Sequence, residues 1–311
     1  MNKSSLSRNV LTAAGLLTAA GVVLAITQAT PVAQANDQQG NFNHLPQTLV
    51  LTGVIRDFHE RTEPNGHPDF ERRPAAGFGH YMGNVALQLD SDKKPVFTGN
   101  GKRVNQQWHD AQGNPIHPRF FDSSKGDVAG SWGVSDPGGI QSAESFRQWF
   151  RDYPGVNISK EHSITLRREA GSNMYVFDDR EDPNYSALGG FFPINNDLFG
   201  NSKGNNRNYH FTYELSTTFV YEPGAGQTFS FIGDDDVWVF INGELVIDIG
   251  GVHSAIRQTV HLDRLDFLKA NRENTLHFFF AERHRTEANF RIETTINLRN
   301  AQLPNSAHLY D

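Results

Sequence analysis

Three consecutive aspartates, Asp234, Asp235 and Asp236, stand directly ahead of an apolar run from Val237 to Ile241. Carboxylates this close repel one another, and a bound cation is the most direct relief. Oxygen donors of this hardness favour Ca²⁺ over a transition metal. The next residues tell what must position them. Val237 to Ile241 and Leu245 to Ile249 are two apolar blocks, and the Asn242-Gly243 between them is a strong hairpin signal. The aspartates are therefore expected at the end of a sheet, where a loop meets solvent. An EF-hand is excluded, because Trp238 stands where that loop needs another oxygen ligand.

The composition narrows the partners. The chain has 311 residues, with 28 Lys+Arg against 35 Asp+Glu and a formal charge of −7. An acidic chain lacks the basic footprint that nucleic acid requires. It suits divalent cations and neutral glycans. There is no cysteine, which excludes disulfides, thiolate metal sites and a Cys nucleophile. Lys3 and Arg8, the Ala/Leu/Val-rich stretch Val10 to Ile26 and the triplet Ala33-Gln34-Ala35 read as a secretory signal over residues 1–35. Its removal would leave 26 basic against 35 acidic residues, a formal −9. Secretion to the outside or to a cell surface is the expected localisation, with no membrane insertion of the mature chain.

Residues 36–47 read as a flexible polar lead-in and 301–311 as a C-terminal tail. Between them, 48–300 is expected to be one domain with an irregular section over 59–163. Leu49 to Phe58 reads as the first strand. One helix is expected from an N-cap at Ser142, with Phe146, Trp149, Phe150 and Tyr153 on one face and Pro154-Gly155 ending it. That aromatic stripe reads as a core face. From Ile164 onward short strands follow one another, and Phe290, Ile292, Thr294, Ile296 and Leu298 alternate with polar residues. With 28 glycines, 14 prolines and 23 phenylalanines, the chain is expected to be mainly β, an antiparallel β-sandwich with one short amphipathic helix and long loop insertions.

Other chemistry is sparse. No His-Glu-x-x-His, Gly-x-Ser-x-Gly, P-loop or dinucleotide fingerprint occurs. His67-Pro68-Asp69-Phe70 reads as a rigid turn, and Gly99-Asn100-Gly101-Lys102 as a hairpin turn. Asp248 and His253 flank a Gly-Gly turn, where the histidine is expected to tie a loop to the sheet. Trp108 and Trp132, in the irregular section, are the tryptophans expected to be exposed.

Ordered fragments across residues 49–298 resemble the fibro-slime family, an exported bacterial and amoebal group built around a protective-antigen-type (PA-fourteen) β-sandwich. They include Arg56-Asp57-Phe58, His67-Pro68-Asp69-Phe70-Glu71, Trp149-Phe150-Arg151-Asp152, Phe191-Phe192-Pro193-Ile194, Gly233 to Phe240, Asp248 to His253 and Phe279 to His284. The resemblance implies adhesion or carbohydrate attachment. In sugar-binding relatives, two adjacent aspartates joined by a cis peptide hold a Ca²⁺ that grips sugar hydroxyls. Aligned on Val237 and Asn242-Gly243, that pair falls on Asp234 and Asp235. The second half of such a site comes from the loop between the last two strands, here Glu282 to Asn289. Glu282 and Asn289 are its side-chain oxygen donors, with backbone carbonyls of His284 or Thr286 beside them. This loop departs from the adhesins in being charged.

The expected function is that of a non-catalytic, Ca²⁺-dependent binding protein with a glycan or polysaccharide partner. Two other readings stay open on sequence. One is a glycoside hydrolase using paired carboxylates, such as Asp235 and Glu282. The other is an extracellular matrix protein that Ca²⁺ stiffens.

Overall fold

A computed structural model describes residues 42–299. The expected signal, half of the expected lead-in and the expected C-terminal tail lie outside the described residues. The strands are β1 (Thr48–Phe58), β2 (Tyr81–Met82), β3 (Lys102–Gln106), β4 (Trp108–His109), β5 (Pro115–Ile116) and β6 (Ser131–Ser135). After the helix α1 (Ala143–Arg147) come β7 (Asn157–Arg168), β8 (Tyr175–Asp178), β9 (Phe211–Val220) and β10 (Thr228–Gly233). The chain closes with β11 (Asp236–Ile241), β12 (Glu244–Ile249), β13 (Ile256–His261), β14 (Glu273–Glu282) and β15 (Phe290–Thr294).

Ten strands form one antiparallel sheet in the order β12-β11-β14-β9-β1-β7-β8-β15-β10-β13. The sheet folds over on itself at β7. Along its length β7 pairs with β1, and its last residues, Arg167 and Arg168, pair with β8 on the other edge. The two layers are therefore β12-β11-β14-β9-β1-β7 and β8-β15-β10-β13, which is the expected antiparallel sandwich. Between them Phe231, Phe278, Phe280 and Phe290 pack edge-to-face and tilted, with ring centroids 5.1–6.2 Å apart.

The larger layer is covered on its outer face too. Val237, Val239 and Ile241 of β11 point into the inter-sheet core. Trp238 and Phe240 point the other way, into a second core with Phe279, Ala281, Phe146, Trp149 and Phe150. This is why β11 reads as an unbroken apolar run: both faces of the strand are buried. The segment between β1 and β7 supplies the cover. Its docking is fixed by a polar anchor as well, since Lys94 meets Glu214 at 2.5 Å in the buried layer, where Arg56 of β1 also pairs with Glu214 at 2.6 Å.

Helix α1 is shorter than its aromatic spacing predicts. The Ser142 cap forms a capping box with Ser145, but the helix stops at Arg147. Trp149 and Phe150 still enter the core. The turn at Asn242-Gly243 has φ of 51° and 85°, the left-handed pair that a tight hairpin requires. Among the described residues no helix is long and apolar enough to cross a membrane.

Candidate functional site

Two connections meet at one end of the sandwich. The β10–β11 link is only Asp234-Asp235, because Gly233 closes β10 and Asp236 opens β11. The β14–β15 link runs from Arg283 to Asn289. Strands β10 and β15 are neighbours, as are β11 and β14, so the two links are forced side by side. The last residue of β14, Glu282, comes with them.

The aspartates are not at a solvated edge. Exposure is 3 % for Asp234, 3 % for Asp235 and 1 % for Asp236, and Glu282 is fully buried. The expectation of a loop meeting water fails because the segment over 59–150 caps this end of the sheet. Asp235 adopts φ of 55°, a left-handed conformation that Asp tolerates better than most side chains.

Each carboxylate has a different partner. Asp234 accepts from the Asn289 side-chain amide at 2.7 Å and from the Asn289 backbone N–H. Asp235 accepts from the Arg283 backbone N–H at 3.0 Å. Asp236 accepts from the Gly251 N–H at 2.6 Å and forms a buried ion pair with Arg283. The Arg283 guanidinium also lies 5.4 Å over the Trp149 ring. Strand alternation explains the split: Asp236 and Arg283 project to the outer, Trp149 side, whereas Glu282 follows Phe278 and Phe280 toward the inter-sheet side.

Glu282 stands apart: neither of its carboxylate oxygens makes a well-formed hydrogen bond, and the groups closest to them are the His284 N–H and the Asp235 carboxyl. Burial, then the charges of Asp235 and Asp234, push its pKa well above the ordinary range. Burial likewise raises Asp235 well above its usual value, and Asp234 and Asp236 add to the rise while Arg283 opposes it. Asp234 is raised to about 6 by burial, against the lowering effect of the Asn289 hydrogen bonds. Four buried carboxyls thus share one guanidinium, most of which is spent on Asp236. Burying unpaired carboxylate charge is expensive, so this end of the sandwich favours either protons or a cation.

A cleft of about 310 Å³ opens here, lined by Asp234, Asp235, His253, His284, Thr286 and Phe78 among others. His253 faces the Ser254 carbonyl through Nδ1 at 3.0 Å, and burial drives its pKa down to about 3. It is a neutral polar wall of the cleft. Asp248 points away from it, accepting from Trp238 Nε1 at 2.9 Å and the Gly83 N–H at 2.8 Å. Gly251 lets Tyr81 pass close by: a Cβ there would lie 2.5 Å from the Gly79 carbonyl oxygen.

The four residues expected as ligands are brought to one place, but with unequal roles. Asp235 and Glu282 face each other and Asp234 adjoins them. Asn289 is committed elsewhere: its amide goes to Asp234, and its Oδ1 receives Arg180 Nη2 at 2.6 Å. It positions Asp234 rather than offering a free oxygen. Sequence reading passed over Arg283, although its place one residue after Glu282 on an alternating strand puts it on the opposite face. A second group, Glu60, Glu71 and His210, gathers three ligand-type atoms within 4.8 Å of one another. These are occupied with the neighbouring loop: Glu60 pairs with Arg285, and Glu71 accepts from the Arg285 N–H and lies 3.0 Å from His210 Nε2. Trp108 is buried at 8 % and only Trp132, at 42 %, is exposed as expected.

Comparison with known proteins bears on the fold around this cleft. The PA14 domain model matches residues 177–301, which hold the end of β8, all of β9 to β15 and both links of the site. Protein psiQ of Dictyostelium discoideum is 38% identical over 172 residues, covering 51% of this chain and 16% of that protein. Protein psiD of the same organism is 34% identical over 258 residues, covering 80% of this chain and 46% of its own length. The chain therefore spans less than half of either relative. The crystal structure of the PA14 domain of the MpAFP antifreeze protein aligns at 12% identity and a TM-score of 0.22, over 30% of this chain and 55% of that one. The sequence match assigns residues 177–301 to a PA14 domain, and over 80% of its length the chain is similar to psiD, one of the psi proteins of Dictyostelium discoideum.

Proposed function

We propose that this is an exported, non-catalytic binding protein that takes a glycan at the Asp234–Asp235 cleft with the help of Ca²⁺, in adhesion at a cell surface or matrix. The observation that carries the reading is Glu282, fully buried beside Asp235 and Asp234, with neither oxygen in a well-formed hydrogen bond and only weak approaches from the His284 N–H and the Asp235 carboxyl. A buried carboxylate crowded by other carboxyls and this poor in donors calls for a cation, and an all-oxygen donor set calls for a hard one. The carboxylates of Asp234, Asp235 and Glu282 would hold the ion. When bound, it would offer open coordination positions to sugar hydroxyls. The chain's own residues do the remaining work: Asn289 fixes Asp234, the Arg283 N–H fixes Asp235, and Arg283 neutralises Asp236 so that the ion need not. PA14 domains are often carbohydrate-binding, which supports the ligand class. The basic and apolar start of the chain supports export.

The test is calorimetric titration of chelator-stripped protein with Ca²⁺, followed by a glycan screen with calcium and with excess chelator. Glycan binding in calcium, lost in chelator and lost in Asp235→Asn, is the expected result. Undiminished glycan binding in chelator would overturn the reading. Turnover of a polysaccharide in chelator would replace it with hydrolysis by Asp235 and Glu282.

A further inference from the structure

Beside the calcium-type cleft lies a second one of about 340 Å³, lined by Arg61, Arg72, Arg73, Asp136, Pro137 and Gln141 among others. Phe78 and Arg73 form the wall between the two. Phe78 lines the first cleft and is 43 % exposed, while Arg73 lines the second and holds its guanidinium 5.1 Å from the Phe78 ring centroid. The backbone beneath them is tied down. Arg103 donates to the carbonyls of Ala76 and Phe78 at 3.4 and 3.2 Å, and the Gly79 N–H donates to the Val252 carbonyl at 2.7 Å. Phe78 meets the His284 ring edge-on, with centroids 4.9 Å apart, and still keeps much of its own ring exposed on a fastened loop outside both cores, a placement suited to a ligand.

The charges on the far side are uncompensated. Arg61 donates to the Glu71 carbonyl, Arg72 to the Gln141 amide oxygen, and Arg73 stacks on Phe78. None of the three is paired with a carboxylate among the described residues. The one acid in the lining, Asp136, spends its two oxygens on the N–H groups of Ala76 and Gly138 at 2.7 Å each. The chain as a whole carries seven more acidic than basic residues, so three arginines converging on a cleft with a single acid in its lining run against its own composition. A guanidinium positioned by stacking or by neutral acceptors keeps donors free for a planar or tetrahedral anion. A neutral glycan would leave this arrangement unused.

We propose that the ligand is an anionic polysaccharide. Its sugar hydroxyls would reach the Asp234–Asp235–Glu282 end, its chain would pass over Phe78, and its carboxylate or sulfate groups would be read by Arg61, Arg72 and Arg73. The proposal rests on the glycan reading above but not on the metal. The full chain, with calcium present, is tested for binding to dextran, dextran sulfate and hyaluronan. The expected result is affinity for one or both polyanions roughly tenfold or more above that for dextran, weakening as salt is raised. Arg61→Gln/Arg72→Gln/Arg73→Gln should remove that preference while leaving the calcium titration and the thermal melt unchanged, since none of the three touches the carboxylate cluster. Preference for dextran sulfate or for hyaluronan identifies the anion as sulfate or carboxylate. Equal binding of dextran and the polyanions, or polyanion binding that the triple variant retains, overturns the proposal. Arginine-dependent binding that survives chelation would sink the calcium reading and leave this one standing. Calcium-dependent binding of neutral glycans, indifferent to the arginines, would do the reverse.

Discussion

Replacing Glu282 by Gln isolates the group on which the calcium reading depends. The substitution keeps the shape of the side chain and deletes its charge. In metal-free protein Glu282 is buried among carboxyls with no well-formed hydrogen bond to either oxygen, and burial with the neighbouring Asp235 and Asp234 charges raises its pKa. The folded state therefore binds the proton more tightly than the unfolded chain does. Stability is full below the unfolded-state pKa and falls as pH rises through the window up to the folded-state value. Asp234, raised from 3.8 to about 6, behaves in the same direction and by itself costs about 3 kcal/mol at neutral pH. Relieving a buried group that is left without adequate partners is worth about 1–3 kcal/mol. For a domain of this size, at roughly 2 °C per kcal/mol, that is a rise of about 2–6 °C in melting temperature. The assay is a calorimetric melt in excess chelator and in excess calcium, at about pH 5 and about pH 8. In chelator at the higher pH, Glu282→Gln should melt above the wild type, and at the lower pH the gap should narrow. In calcium the order should reverse, because only the wild type gains the ion. A variant less stable than wild type in chelator at both pH values would refute the reasoning, since Glu282 would then be a satisfied structural carboxylate.

Further expectations concern the neighbours. Asp235→Asn should fold normally, because Asn tolerates the left-handed backbone and keeps an acceptor for the Arg283 N–H; a calcium titration should show no binding. Calcium affinity of the wild type should fall as pH drops through about 6, where Asp234 takes up its proton, and titrations across that range would show it. Arg283→Met should cost about 3–5 kcal/mol in denaturant melts, since Asp236 is left buried without its guanidinium. Phe146→Ala should cost about 3–5 kcal/mol, read as a shift of one cooperative transition, because the second core joins the covering segment to the sheet.

Much of the fold can be read along the chain, because its strongest signals are local. The alternation in Phe290 to Thr294, the hairpin at Asn242-Gly243 and the cap at Ser142 each depend on neighbours a few residues away. The helix came out short because its later aromatics are held by tertiary packing rather than by helical geometry. Trp108 turned out buried because its ring packs on Trp132, with centroids 4.6 Å apart, a contact that spacing does not encode.

For the site, the residue pattern places Asp234-Asp235 just ahead of a hairpin strand and returns the loop after Glu282 into the last strand. Antiparallel pairing then required the two links to meet. The chemical meaning of that meeting comes from the tertiary structure. It buried the carboxylates under the distant segment 59–150, gave Arg283 to Asp236, committed Asn289 to Asp234 and Arg180, and left Glu282 without a well-formed hydrogen bond. It also set Phe78 and three arginines beside the cleft. Strand identity follows from short-range pattern, whereas desolvation and charge pairing depend on which distant residues fill the space around a group, and no local pattern carries that.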